Sequence, residues 1–149
     1  MQKVISFLCL FFIGFGCVQG QTPYTWSFTA KKTGDKLYEI HFKADVKAPW
    51  HTYSQFTPDG GPLPTKFMFA KNPLYSLDGT VKENGKMITK HETVFGVDVQ
   101  YFEGAIDFVQ KVKLNRSAKT NFTGSVEFMV CNEEQCLPPT TKKFSIILN

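Results

Sequence analysis

The sequence predicts an all-β domain, a sandwich or a barrel, on two observations. Apolar and polar residues alternate in short runs, and turn signals interrupt the chain about every ten residues. Tyr38, Ile40, Phe42, Ala44 and Val46 alternate with Glu39, His41, Lys43 and Asp45, as in a strand with one buried face. Pro58-Asp59-Gly60-Gly61-Pro62, Asn72-Pro73, Asp78-Gly79 and Asn84-Gly85 supply the punctuation. No window of helical length carries an apolar stripe with caps.

Tyr24–Ala30 is expected to be the first strand, joined to the Tyr38–Val46 strand by a hairpin turn over Lys32-Thr33-Gly34-Asp35. Trp50–Gln55, Thr65–Ala70 and Leu74–Val81 are expected to be shorter strands. Ile106, Phe108, Val112 and Leu114 mark one face of a later strand. Phe122, Val126, Phe128 and Val130 mark the next, with Thr123, Ser125 and Glu127 turned to water, and Phe144, Ile146 and Leu148 mark the last. The 15 phenylalanines are what two facing sheets need to fill the space between them. The chain shows no internal repeat, low-complexity tract or interdomain linker.

The first 20 residues read as an export leader, followed by one domain over residues 21–149. Lys3 gives the positive start, Val4 to Phe15 is almost wholly apolar, and Val18-Gln19-Gly20 offers a cleavage position. The apolar run is short of the roughly 20 residues a bilayer span needs, so no membrane insertion of the mature chain is expected. Gly14 stands where lipid attachment at Cys17 would favour a large aliphatic residue. Cleavage after Gly20 removes Cys9 and Cys17 and leaves Cys131 and Cys136 as the mature thiols. A net charge of +4 without a basic cluster argues against nucleic-acid or membrane-surface binding.

The two remaining cysteines lie in Phe128-Met-Val-Cys131-Asn-Glu-Glu-Gln-Cys136-Leu-Pro-Pro139. If Cys131 ends one strand and Cys136 begins its return, a turn over Asn132–Gln135 brings the sulfurs within bonding reach. Pro138 and Pro139 stiffen the exit and push Leu137 towards an extended conformation. Closing so short a loop contributes only about 2 kcal/mol, which suits an exchange centre better than a staple. A hairpin staple in a secreted domain remains the competing reading. Glu133 and Glu134 inside the loop disfavour a thiolate and imply dependence on a docked partner. Zinc is not expected, because C-x4-C with scattered His41, His51 and His91 is poor ligand spacing, and no cofactor is expected.

Val130-Cys131-Asn-Glu-Glu-Gln-Cys136-Leu-Pro-Pro139, with Ala48-Pro-Trp-His-Thr-Tyr-Ser-Gln55 and Gly61-Pro-Leu-Pro-Thr65, closely resembles the periplasmic N-terminal domain of the thiol:disulfide interchange protein DsbD. The resemblance runs from about Tyr24 to Leu148. It implies an immunoglobulin-like β-sandwich with a cysteine-bearing hairpin, located in the periplasm. It implies a protein-disulfide reductase component that takes electrons from a thioredoxin-like donor and passes them to periplasmic thiol–disulfide proteins, cytochrome c maturation factors among them. Carried over by position, Cys136 forms the mixed disulfide and Cys131 resolves it. Glu92-Thr93-Val94-Phe95-Gly96 corresponds to a cap loop that shields the pair, and His51, Tyr53, Leu137 and Pro138 are its expected neighbours.

The chain departs from that pattern in places. Some members have five residues between the cysteines and an aromatic before the prolines; here there are four, and Leu137. Transmembrane and thioredoxin-like domains are absent from the 149 residues, so the donor is expected on a separate polypeptide and the domain is expected to be a monomer. The alternative function is a secreted immunoglobulin-like binding module whose disulfide is purely structural. Asn115-Arg-Ser and Asn121-Phe-Thr match a glycosylation sequon that carries no meaning in a bacterial periplasm.

Overall fold

The computed structural model describes residues 22–93 and 96–149. The predicted leader, and Val94 and Phe95 of the predicted cap, lie outside the described residues. Those described form nine strands: β1 (Tyr24–Gly34), β2 (Leu37–Tyr53), β3 (Lys66–Phe69), β4 (Tyr75–Asn84), β5 (Met87–Glu92), β6 (Val97–Leu114), β7 (Thr120–Phe128), β8 (Val130–Cys131) and β9 (Thr140–Leu148). Among the described residues no helix is long and apolar enough to cross a membrane. A six-stranded antiparallel sheet (β1, β2, β6, β4, with β5 on β6 and β8 on β2) faces a three-stranded one, β3-β7-β9. The architecture is an immunoglobulin-like β-sandwich.

The alternating runs set this packing. Tyr38, Ile40, Phe42, Ala44 and Val46 are all buried, and so are Phe122, Val126 and Phe128 on the facing sheet. Phe42 of β2 meets Phe144 of β9 and Phe67 of β3, each at 4.9 Å between ring centroids. Burial of one such ring stabilises by about 1.5–3 kcal/mol, and each good aromatic pair adds roughly 0.5–1.5 kcal/mol. The three-stranded sheet is tightest at Gly124, where an added Cβ would overlap the Met68 carbonyl oxygen and stand 2.7 Å from the Phe144 ring. Gln110 sits among the apolar residues of β6 at 1 % exposure, its amide donating to the carbonyls of Asp78, Gly79 and Lys111.

Three local expectations are corrected. The first hairpin turns at Asp35-Lys36, since Gly34 pairs with Leu37 and Lys32 with Tyr38 still belongs to the ladder. Asp78-Gly79 is a bulge inside β4, where register shifts between Asp78 and Lys82 and Gly79 takes φ +71°. Asn84-Gly85 is no reversal either. β4 and β5 run one after the other along the same edge of β6, with Asn84 opposite Asp107 and Met87 opposite Phe102. The expected Trp50–Gln55 strand is the far end of β2, and β5 and the first half of β6 are strands the sequence reading did not foresee.

Candidate functional site

The bend that makes the site lies in β2. Val46 pairs with Gly104 and His51 with the adjacent Glu103, so Lys47–Trp50 bulge out of the ladder, through a cis Ala48–Pro49 peptide. Gly104 has φ +70°, a conformation that a side chain would disfavour. Before the bulge β2 is flanked by β1; after it, β8 takes that place, pairing His51 with Cys131 and Thr52 with Val130. One end of the large sheet therefore reads β8-β2-β6-β5.

The cysteine hairpin hangs from this end. Cys131 and Cys136 form an isolated antiparallel bridge and are disulfide-bonded, with Cα atoms 4.0 Å apart. The Asn132 amide donates to the Gln135 carbonyl, and the Leu137 amide donates to the Val130 carbonyl. The Asn132 side chain accepts from the amides of Glu134 and Gln135, which fixes the turn. Burial of the two sulfur-bearing residues is unequal: Cys131 is 2 % exposed, whereas Cys136 lies open at the surface.

Strand alternation puts His51, Tyr53, Val99, Tyr101 and Cys131 on one face. Tyr53, Val99, Tyr101 and Cys131 form a small buried cluster, edged by Ile88, Val97 and Met129. His51 Nε2 is hydrogen-bonded to the Tyr53 hydroxyl at 3.1 Å, and its ring lies 4.5 Å from that of Tyr101. Tyr53 is held in turn by the loop that follows. Ser54 and Gln55 donate to the Glu83 carboxylate at 2.8 Å each, and the Thr65 hydroxyl donates to the Tyr53 carbonyl. A recess of about 120 Å³ opens here, lined by His51, Tyr53, Lys90, Glu92, Cys131, Asn132, Glu133 and Cys136.

Charge around the recess is mixed. Lys90 reaches Glu92 at 3.2 Å and Glu133 at 3.3 Å, tying the hairpin to β5, and those carboxylates raise its pKa. Burial holds the His51 imidazole below its ordinary pKa, against the pull of Glu103 and Glu133. Burial pushes Tyr53 up to about 12, with Glu92 adding to the rise. Tyr101 is raised for the same reason, helped by Glu103. Both phenols stay protonated at neutral pH.

Of the other residues singled out from sequence, Glu92 lines the recess and pairs with Val97 at the root of the β5–β6 turn, where the Gly96 amide donates to the Glu92 carbonyl. Leu137 points elsewhere, packing on the cluster of Tyr24, Val46, Val126, Phe128 and Val130. Pro138 is exposed, its carbonyl accepting from Thr140. Lys90, Tyr101 and Glu103 were missed. The alternation of Val97, Val99 and Tyr101 with Asp98 and Gln100 is the signal that would have found their strand pair. A larger hollow of about 430 Å³ lies on the outer face of the same sheet, lined by Lys43, Asp45 and Asp107 among others. It contains neither cysteine. No group of three or more metal-ligating side chains occurs among the described residues.

Fold comparison finds the N-terminal periplasmic domain of ScsB from Proteus mirabilis, with a TM-score of 0.54 at 15% identity, over 86% of this chain and 51% of that one. The chain thus spans about half the length of that relative. The N-terminal domain of DsbD from Neisseria meningitidis, in its reduced form, matches with a TM-score of 0.56 at 13% identity, over 85% of this chain and 86% of that one. Among curated proteins no match was found. The family profile described as "Thiol:disulfide interchange protein DsbD, N-terminal" matches residues 21–148, nearly the whole chain, cysteine hairpin included. The chain belongs to the family of DsbD N-terminal domains, a family of thiol:disulfide interchange.

Proposed function

We propose that this domain passes electrons to partner proteins through Cys131 and Cys136, with Cys136 the sulfur that meets the partner and Cys131 the one that releases it. The observation that carries this reading is the unequal burial of a bonded pair in one recess, Cys131 at 2 % exposure and Cys136 open. In the reduced domain the Cys136 thiolate attacks a partner disulfide and expels one partner thiolate. Cys131 then attacks the Cys136 sulfur, the mixed disulfide breaks, and the second partner sulfur leaves as a thiolate. The pair ends oxidised by two electrons and the partner reduced by two. Electrons return from a thioredoxin-like donor. The domain works in the periplasm as a monomer, exported by its first 20 residues.

The test is capture of partners by single-cysteine variants. Cys131→Ser is expected to accumulate mixed disulfides with periplasmic thiol proteins, and Cys136→Ser to accumulate none. A redox titration adds a second measure: an exchange centre titrates above about −300 mV, a staple below. A potential below that limit, with no capture by either variant, would identify a structural disulfide in a binding module.

A further inference from the structure

We propose that His51 is the proton acceptor that converts the buried Cys131 thiol into the resolving nucleophile. The inference rests on the exchange reading above and concerns its second step. His51 and Cys131 are direct partners on the β2–β8 ladder and line the same recess. Residues so opposed have Cβ atoms about 4.5–5.5 Å apart on one face, a separation that an imidazole can bridge to reach the sulfur. At 2 % exposure, Cys131 has little access to bulk water as a base.

The groups facing His51 come from three elements besides its own. Glu103 and Tyr101 stand on β6, Lys90 and Glu92 on β5, Glu133 on the hairpin, and Tyr53 on β2 itself. Tyr53 and Tyr101 hold their protons, Lys90 is a cation, and Glu92 and Glu133 are engaged by it. The imidazole is kept neutral by burial and so is available as a base at neutral pH. In the required tautomer Nε2–H donates to the Tyr53 hydroxyl oxygen, and Nδ1 takes the proton. Glu103 and Glu133 then stabilise the imidazolium. The step balances. The S–H proton moves to Nδ1 as the Cys131 sulfur bonds to Cys136, the Cys136–partner bond breaks, and its electron pair leaves on the partner sulfur. That thiolate, or water, then takes the proton from His51.

The test uses the reduced protein mixed with an equimolar amount of 5,5′-dithiobis(2-nitrobenzoate) in stopped flow from pH 5 to 8. The first release of the coloured thiolate reports attack by Cys136, and the second reports resolution by Cys131. The second rate is expected to rise with pH through an inflection below 6.5, the ordinary imidazole value. His51→Phe, which keeps a ring on Tyr101, and His51→Gln, which keeps a polar group near Tyr53, should each lower the ratio of second to first rate by about tenfold or more at pH 7 and remove the inflection. An unchanged ratio and pH profile in His51→Gln would overturn the proposal. Failure of the exchange reading shows separately, as a Cys131→Ser variant that captures no partner.

Discussion

The two ends of the large sheet share strands β2 and β6 and do opposite things. Along its first half β2 turns Tyr38, Ile40, Phe42, Ala44 and Val46 onto an aromatic layer shared with the second sheet. Past the bulge opposite Gly104, the same strand offers His51 and Tyr53 to a recess, and its other neighbour becomes the cysteine hairpin in place of β1. The first half is a packing device and the second a chemical one. Four excess residues in one strand separate them. A rigid body is what lets a two-residue strand, β8, hold a reactive pair in a fixed place.

Removing one ring from the body should have the largest effect on stability. Phe42→Ala deletes a fully buried side chain packed edge-on or tilted against Phe28, Phe67, Phe69 and Phe144, and should cost about 3–5 kcal/mol in urea unfolding. Below the unfolding transition the exchange rate of Cys136 should hardly change. A large loss of exchange in the folded variant would show that the two ends are coupled. The converse change at the cysteine end is smaller for stability. Opening the disulfide in a Cys131→Ser, Cys136→Ser double variant should cost no more than about 2 kcal/mol, because the closed loop is so short. A loss as large as that of Phe42→Ala would make the disulfide a pillar of the fold.

The body was far more legible in the sequence than the site. Its strands face a dry interior on one side only, so a period of two in Tyr38–Val46 and Phe122–Phe128 survives undiluted. The cysteine pairing was legible because a six-residue hairpin leaves little freedom. Lys90 and Glu103 were hidden because each is a polar residue on the same strand face as apolar ones, which blurs the alternation of β5 and β6. Asp78-Gly79 and Asn84-Gly85 misled for a related reason. The local signal is the same for a turn and for a bulge or break in an edge strand, and only the uninterrupted partner β6 decides between them. Leu137 was grouped with the site by its place beside Cys136, yet neighbouring residues in extended chain point to opposite faces.

His51 ties the chemical end to pH. Its folded pKa is depressed, so as pH falls below the ordinary value of 6.5 the unfolded chain takes up a proton before the folded one does. The stability it contributes is full above pH 6.5 and is lost as pH drops from there to the folded value. Thermal midpoints measured from pH 7.5 to 5 should therefore fall less steeply in His51→Gln than in the parent. Equal slopes would place His51 in an environment no drier than the unfolded chain.

Lys90 is the smallest lever and lies exposed. It meets Glu92 and Glu133 from the solvent side, so its loss should leave the unfolding midpoint unchanged. Its effect belongs to the thiols. Without this cation, the carboxylates of Glu92 and Glu133 face the recess uncompensated and disfavour a thiolate there. Lys90→Gln should slow exchange at pH 7 by about two- to threefold at low salt, with the difference fading as added salt screens it. Faster exchange in the variant would mean that the Lys90–Glu133 contact is a clasp, restraining the hairpin mechanically.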